Sequence, residues 1–169
     1  IDPPADNLKA TFKFPYENTG SANALRVEKL SVGYGHPLLA PVTFSMTMGE
    51  KLLFTGFNGV GKSTLIKSIL KKIPALGGTA TFSPSAKVNY FDQDLEWDDP
   101  SLTPLQMIQN MFPTMQPKTI RQKLARAGIN AANTMKPLHL LSGGEQTKVK
   151  LAILELTPSN FLIMDEPTN

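Results

Sequence analysis

The segment that most constrains this chain is Gly56-Phe-Asn-Gly-Val-Gly-Lys-Ser63, which matches the pattern G-x-x-x-x-G-K-[ST]. A short apolar run at residues 51–55 precedes it, and apolar residues at helical spacing follow from Lys62. Glycines let such a loop turn its amide N–H groups inward, and the helix start adds the positive end of its dipole. The sequence therefore predicts a phosphate-binding loop between a strand and a helix.

This loop is the predicted binding site for ATP or a close relative of it. We expect the Lys62 ammonium to reach the outer phosphates and the Ser63 hydroxyl to ligate Mg²⁺. The alternative is a glycine-rich turn with a chance lysine, and the strand and helix expected on either side argue against it. The predicted ATP-binding residues of the loop are Gly56, Asn58, Gly59, Val60, Gly61, Lys62, Ser63 and Thr64.

Two carboxylates follow a second apolar run near the end of the sequence. The run is Phe161–Met164, and Asp165 and Glu166 come directly after it. We expect a parallel strand that is buried on both faces and that delivers its last residues to the ligand edge of the sheet. Asp165 is then placed to hold Mg²⁺, and Glu166 to act as general base on a water that attacks the γ-phosphate. A polar turn is the alternative.

A glycine pair in Leu141-Ser-Gly-Gly-Glu-Gln146 precedes a helical pattern that runs to Leu156. Free glycine amides at a helix start can bind an anion. The alternative is an ordinary serine-capped helix, with Glu145 at the capping-box position three residues after Ser142. Taken by itself, the motif favours the capping interpretation.

Composition excludes several classes of site. The 169 residues suit one domain, and the absence of cysteine rules out disulfides and thiolate metal sites. His36 and His139 are too few for a zinc cage. The net charge of +3 suits polyphosphate or RNA but equally an ordinary solvated surface. No apolar run approaches the roughly 20 residues of a membrane helix and no signal peptide opens the sequence, so we expect a cytoplasmic protein.

The pattern along the chain alternates between strands and helices. Residues 1–20 are expected to form a tail or the end of a linker, because prolines and small polar residues interrupt any periodicity. Turns are expected at residues 48–50 and 77–78. A helix is predicted to begin at Lys62 and end before Pro74. Further strands are predicted at residues 24–30, 42–48, 51–55, 79–82 and 87–91, and further helices at 103–111, 118–127 and 143–156.

The phosphate loop, the Leu-Ser-Gly-Gly segment and the acidic strand end, in this order, resemble the ATP-binding cassette (ABC) ATPases over nearly all of residues 24–169. In that family the Leu-Ser-Gly-Gly segment is the signature motif, which contacts the γ-phosphate of a nucleotide held by a partner cassette. The resemblance implies a second cassette as partner, in a head-to-tail sandwich of two ATPs. The residues that would serve the partner's ATP are Ser142, Gly143, Gly144 and Glu145.

The resemblance assigns two further residues. Gln93 matches the Q-loop glutamine, which ligates Mg²⁺ together with Ser63 and Asp165; we count it with Glu166 and Lys62 among the catalytic residues. Tyr34 fits the aromatic residue that stacks on adenine, although an ordinary turn tyrosine is the alternative.

The fold implied by the resemblance is an α/β P-loop NTPase of ABC type. It has a parallel core sheet, an N-terminal antiparallel β-subdomain and an inserted α-helical subdomain at about residues 94–140. The nucleotide-binding domain would span residues 21–169.

Several details resemble the ABC-F branch, which lacks transmembrane domains and works on ribosomes. These are the sequences Gly-Gly-Glu-Gln at 143–146, Tyr-Phe-Asp-Gln at 90–93 and Asp-Glu-Pro-Thr-Asn at 165–169. The opening of the chain also resembles the linker that precedes a second cassette. The resemblance thus implies an ATP-hydrolysing cassette that acts on the ribosome, with rRNA and tRNA as partners. The alternatives are the nucleotide-binding subunit of a membrane transporter and a nucleotide-binding module without turnover.

One departure from the family concerns the end of the sequence. A cassette normally continues into a D-loop and a switch histidine, whereas this sequence stops at Asn169, and His139 precedes the signature. We therefore expect a cassette that is incomplete at the C-terminus, hydrolyses ATP poorly by itself and leaves an unpaired sheet edge beside residues 161–164.

Overall fold

The computed structural model describes residues 10–13, 23–92 and 96–165, and the chain divides into two compact units. The sheet unit comprises residues 16–90 and 159–169, and the helical unit comprises residues 1–15 and 91–158. Each unit is built around its own cluster of buried apolar side chains. The two clusters correspond to different stretches of the sequence, since the strand patterns and most helical patterns are separate along the chain.

The sheet unit contains a three-stranded antiparallel sheet. Its strands are β1 (Asn23–Ser31), β2 (Val42–Thr47) and β3 (Gly77–Phe82), in the order β2-β1-β3. Val27 of the central strand lies opposite Phe44 on one side and Ala80 on the other, and it is fully buried. The period-two pattern predicted β1 and β2 to within one or two residues, because one face of the sheet packs on the core and the other meets solvent.

The predicted turn at residues 77–78 is instead the beginning of β3. The pairing of β1 with β3 shifts between Glu28 and Ser31, where Lys29 has a φ of 44°. Gly78, with a φ of 75°, lies so close to this bulge that a Cβ atom there would be 2.2 Å from the Lys29 carbonyl oxygen. The glycine pair therefore serves a close backbone approach at a bulge, which local sequence does not distinguish from a turn.

One helix packs against the core of the sheet unit. Helix α1 (Lys62–Ile69) buries Leu65 and Ile69 in the cluster that also contains Val27. It ends as predicted before Pro74, and its last turn carries Lys67. The apolar face predicted from the spacing of its residues is confirmed.

The second sheet of this unit has two strands, β4 (Val88–Phe91) and β5 (Phe161–Met164). The buried Asn160 holds them at one end, because its side-chain oxygen accepts from the Lys87 N–H at 2.7 Å and its amide donates to the Ser85 carbonyl at 2.9 Å. The prediction that β5 is buried on both faces was wrong for the described residues, since Leu162 is 37% exposed.

The predicted strand at residues 51–55 is also absent. The structure has no strand there, and Leu53 is 81% exposed. Only Phe54 of this run packs on the core of the unit, with its ring 5.7 Å from that of Phe44. A strand exists only where a neighbour completes its hydrogen-bond ladder, and no strand among residues 23–92 and 96–165 pairs with this run.

The described residues of the helical unit form four helices and a short 3₁₀ turn. Their bounds are α2 (Pro104–Met111), α3 (Pro117–Arg126), α4 (Ala131–Thr134), the 3₁₀ turn (Leu138–Leu140) and α5 (Gly143–Leu156). The three longer helices match the predicted ones closely. Two of them begin with a capping box, Thr103 with Gln106 in α2 and Ser142 with Glu145 in α5.

The core of the helical unit is formed by apolar residues of α2, α3, the 3₁₀ turn and α5 and of the segment that follows α3. Ile108, Ile120, Leu124, Leu138 and Val149 are fully buried there. Phe12 packs on the same cluster, and the Thr11 N–H donates to the Arg126 carbonyl at 3.1 Å. No helix in the described ranges has the length and apolar character needed to cross a bilayer.

Candidate functional site

The predicted phosphate loop leads directly into α1. Gly61 is the N-cap residue, with φ 103° and ψ 15°, and no side chain caps this helix end. Within the loop, the Val60 N–H donates to the Phe57 carbonyl at 3.3 Å, and the helix begins with Leu65 N–H donating to Gly61 at 2.8 Å. The first-turn amides are therefore without a side-chain cap, which is the arrangement that binds anions at helix N-termini.

The Lys62 ammonium lies over this loop. It donates to the Gly56 carbonyl at 2.9 Å and to the Phe57 carbonyl at 3.0 Å. The side chain thus folds back from the start of α1 across the beginning of the loop. The ammonium is held there by carbonyl oxygens, beside the loop amides that a polyphosphate would bind. The positive charge of Lys62 and the N–H donors of the loop would therefore act on the same ligand.

The turn that carries Tyr34 reaches the same helix start. A Cβ atom at Gly61 would lie 3.3 Å from the Cβ of Leu38, so glycine is needed there for both its φ and this close approach. Leu38 is held by its N–H, which donates to the Val32 carbonyl at 2.9 Å, and Gly33 forms a bridge with Pro37. Tyr34 lies in this turn and is 66% exposed. Its ring is therefore largely open to solvent.

The predicted metal ligand Asp165 follows β5 and is 3% exposed. Phe161, at the start of that strand, packs on the same cluster as Leu65 of α1 and contacts Phe82 edge to face at 5.3 Å. One hydrophobic cluster thus anchors both the helix that begins at Lys62 and the strand that leads to Asp165. Ser63 lies half-buried in the first turn of that helix.

The donor set fits Mg²⁺ chemically. Within the described part of the chain, no cationic side chain forms an ion pair with the buried Asp165 carboxylate, and burying an unpaired carboxylate is costly. A carboxylate and the Ser63 hydroxyl are hard oxygen donors of the kind that Mg²⁺ prefers. The described residues contain no group of three or more His, Asp or Glu side chains that would hold a metal alone.

Two predicted catalytic residues, Gln93 and Glu166, lie outside the described residues. The structure therefore describes Lys62, Ser63 and Asp165 of the predicted catalytic and metal-binding set. The roles of all five stay predictions.

The predicted signature residues form the N-terminus of α5 in the helical unit. The Glu145 carboxylate accepts from the Ser142 N–H at 2.8 Å and from its hydroxyl at 2.8 Å, and the Glu145 N–H donates to that hydroxyl oxygen at 3.3 Å. The capping interpretation is thus confirmed as local structure. Gly143 and Gly144 follow Ser142 and are exposed.

The Glu145 carboxylate is stabilised in its ionised form. The bonds from the Ser142 backbone and hydroxyl lower the pKa of Glu145, with smaller contributions from the charges of Lys136 and Lys148, although partial burial raises it. The side-chain amide of Asn133 also donates to this carboxylate. Residue spacing did not reveal Asn133, because a contact between separate helices leaves no local pattern.

Comparison with known proteins places this geometry in a family. The family model described as ABC transporter matches residues 39–169. Over 169 residues the chain is 36% identical to the putative ATP-binding protein YdiF of Bacillus subtilis, covering 99% of this chain and 26% of that protein. It is 31% identical over 135 residues to human ATP-binding cassette sub-family F member 3, covering 79% of this chain and 19% of that protein.

A solved structure shows the same fold. A putative ABC transporter ATP-binding protein from Pyrococcus furiosus matches with a TM-score of 0.67 and 24% identity, over 85% of this chain and 75% of that one. The predicted fold class, an α/β P-loop NTPase of ABC type, is thereby confirmed. The chain spans about a quarter of the length of YdiF. The loop before α1 presents uncapped amides beside Lys62, and the family model matches 131 of the 169 residues, from 39 to 169. This chain therefore belongs to the ABC transporter family, and its relatives include sub-family F proteins.

Proposed function

We propose that this chain is the ATP-binding and ATP-hydrolysing cassette of an ABC-F type protein that acts on the ribosome in the cytoplasm. The observation that carries the nucleotide part is the α1 N-terminus without a side-chain cap, with the Lys62 ammonium lying across its loop. The proposed action on the ribosome is supported by the sub-family F relative and by motif sequences that resemble those of the ABC-F branch.

In this proposal the nucleotide lies on the sheet unit. The amides of the loop and Lys62 bind its phosphates, and Tyr34 stacks on the base. Bound Mg²⁺, held by Ser63, Gln93 and Asp165, would neutralise charge that develops on the phosphates. Glu166 would orient and deprotonate the attacking water.

The signature residues would serve a different nucleotide. Ser142, Gly143, Gly144 and Glu145 would contact the γ-phosphate of ATP held by a second cassette, because exposed glycine amides at a capped helix start can bind an anion. Within the proposed nucleotide-binding domain at 21–169, residues 94–140 would form the helical subdomain. Hydrolysis then needs two cassettes, and this chain by itself should turn over ATP poorly.

A transporter subunit is the second candidate. The family profile and the Pyrococcus furiosus structure are both described by the word transporter. Every proposed nucleotide contact is common to both candidates, so only the partner distinguishes them.

Ribosome co-sedimentation of the full-length protein tests the proposal. The Glu166→Gln variant should bind ATP without hydrolysing it and should sediment with ribosomes only when ATP is present. Lys62→Ala is the matched control, because it should remain in the supernatant with or without ATP. If Glu166→Gln binds ATP in calorimetry yet never sediments with ribosomes, the ribosomal function is wrong and the transporter candidate takes its place.

A further inference from the structure

Helix α3 carries a basic stripe, defined here as Lys118, Arg121 and Arg126. At about 100° per residue these positions lie on one side of the helix, together with Gln122. All three basic residues are exposed. The stripe extends about 12 Å along the helix axis, from the rise of about 1.5 Å per residue.

The opposite side of α3 fixes the direction in which the stripe faces. Ile120 and Leu124 are fully buried in the core of the helical unit, and Ala127 just after the helix is 1% exposed. The main chain at the end of the helix is held by Thr11, whose N–H donates to the Arg126 carbonyl at 3.1 Å. Because the apolar side is enclosed, the helix cannot rotate to bury its charges.

The remaining cation of α3 has a different role. The Lys123 ammonium lies 3.3 Å from the Glu155 carboxylate of α5, and the Glu155 side chain is only 7% exposed. Lys123 therefore neutralises a buried acid of its own unit. In the described part of the chain, no carboxylate forms an ion pair with any of the three stripe residues.

The charge around the stripe has a single sign over a long stretch of sequence. Between Asp99 and Glu145 there are five Lys and Arg residues and no Asp or Glu. Neighbouring cations raise the local positive potential, and without a counter-charge they attract polyanions. Arginine guanidinium groups also match phosphate geometry with paired donors.

The composition of the stripe distinguishes among anionic surfaces. A helix that binds a lipid surface needs large apolar side chains beside its cations. The exposed large apolar residues of the described chain include none between Pro117 and Arg126. The side chains beside the stripe, Thr119 and Gln122, are hydrogen-bond donors that suit phosphate and sugar oxygens.

We propose that the basic stripe of α3 binds the phosphate backbone of structured RNA. The choice of RNA among polyanions rests on the ribosomal function proposed above, whereas the stripe stands on the geometry of α3. Binding through phosphates is independent of base sequence and weakens steeply as salt rises.

Fluorescence anisotropy with a labelled RNA hairpin tests this proposal on the full-length protein. The variant Lys118→Gln/Arg121→Gln/Arg126→Gln should bind the hairpin roughly tenfold more weakly or worse. The slope of log K against log salt should fall in magnitude by about 3, since each lost phosphate contact removes about one. The charge-preserving variant Arg121→Lys/Arg126→Lys should keep most of the affinity.

The matched control is Lys29→Gln/Lys51→Gln/Lys71→Gln, which removes the same charge from exposed positions of the sheet unit. It should change the affinity less than threefold or so, as expected for screened, non-contacting charges. Equal losses in both triple variants would show a net-charge effect and overturn the proposal. So would a stripe variant that retains RNA binding but loses binding to vesicles of phosphatidylglycerol and phosphatidylcholine.

The same variants separate this proposal from the ribosomal function. If unmodified protein sediments with ribosomes in ATP and the stripe variant does so equally well with unchanged hairpin affinity, the stripe proposal fails and the ribosomal function stands. If the protein never sediments yet binds the hairpin through the stripe, the ribosomal function fails alone. ATP affinity, measured by calorimetry, should be the same in all of these variants.

Discussion

The side-chain amide of Asn133 donates a hydrogen bond to the Glu145 carboxylate, which joins α4 to the first turn of α5. Glu145 is thus bound from two directions, by Ser142 within its own helix and by Asn133 from another element. The first turn of α5 is the segment proposed to face a second nucleotide. Its conformation therefore depends on a residue that the signature motif does not include.

Asn133→Ala should destabilise the helical unit by about 1–2 kcal/mol, because it removes a hydrogen bond to an ionised group. Trp97 is the single tryptophan of the sequence, and its indole N–H donates to Gln146 at 2.7 Å, so its fluorescence reports on this unit during urea unfolding. The exposed Gln122→Ala is the control and should stay within about 0.5 kcal/mol of the original protein. Equal midpoints for both variants would contradict the prediction.

The stability of the helical unit should fall in acid through Glu145. The pKa of this carboxyl is lowered in the folded state, chiefly by the bonds from Ser142. The stabilisation from the ionised Glu145 carboxylate is then fully present above the ordinary glutamate pKa of 4.5. It is lost as the pH falls through the lower pKa of the folded state. Glu145→Gln should be less stable than the original protein at pH 7, and this difference should shrink as the pH is lowered towards that range. Urea unfolding at several pH values measures it, and a constant difference would refute the assignment.

Lys62→Ala should abolish detectable ATP binding in calorimetric titration with Mg²⁺. The variant removes the ammonium that lies over the carbonyls of Gly56 and Phe57, and with it the only lysine of the loop. Lys51→Ala removes the same charge eleven residues earlier and should leave the affinity within about threefold, as expected for an exposed charge. Unchanged affinity in Lys62→Ala would overturn the site.

Gly61→Ala should weaken ATP binding at least roughly tenfold, since it combines left-handed strain of about 1–2 kcal/mol with displacement of Leu38. Its φ is 103°, and the new Cβ would lie 3.3 Å from the Leu38 Cβ. Gly49→Ala is the control for strain outside the proposed site, because its φ is 85° and a Cβ there meets nothing within 4 Å, and it should leave ATP affinity unchanged. Unchanged ATP affinity in Gly61→Ala would contradict this conformation of the loop.

Asn160→Ala should accelerate amide hydrogen exchange at Lys87 by about 10- to 100-fold, because the N–H loses the acceptor that holds it at 2.7 Å. Exposed Asn110→Ala in α2 serves as the control and should leave exchange at Lys87 unchanged. Slow exchange at Lys87 in both variants would show that the bond to Asn160 is not what protects this amide.

Local pattern predicted most helices and strands because their apolar faces are complete within a few turns or pleats. Leu65 and Ile69 identified the inner face of α1, and Val27 identified that of β1. The run at 51–55 failed because a strand needs a partner, and the sequence of one segment does not show whether a partner is present. The glycine pair at 77–78 predicts a turn, because the bulge at Lys29 that requires Gly78 lies almost fifty residues earlier and leaves no local pattern.

The candidate site divides in the same way. Spacing alone located the loop from Gly56 to Thr64 and the capping box of Ser142 and Glu145, because those groups are neighbours in sequence. Asn133 and Asn160 were missed because each acts across a gap, of 12 residues to Glu145 and of 73 to Lys87. Long-range polar contacts carry no periodic trace, and so they appear only in the folded chain.

The bonds from Asn160 also determine which side chain arrives at the end of β5. Successive residues of a strand point to opposite faces, so a slip of one residue would put Met164 where Asp165 now lies. Asn160 binds both Lys87 and Ser85 just before the strand begins, which locks the alignment of β5 against β4 five residues ahead of the carboxylate. The buried Asn160 side chain, which has no proposed role in metal binding, thereby fixes the position of Asp165, the carboxylate on which metal binding would depend.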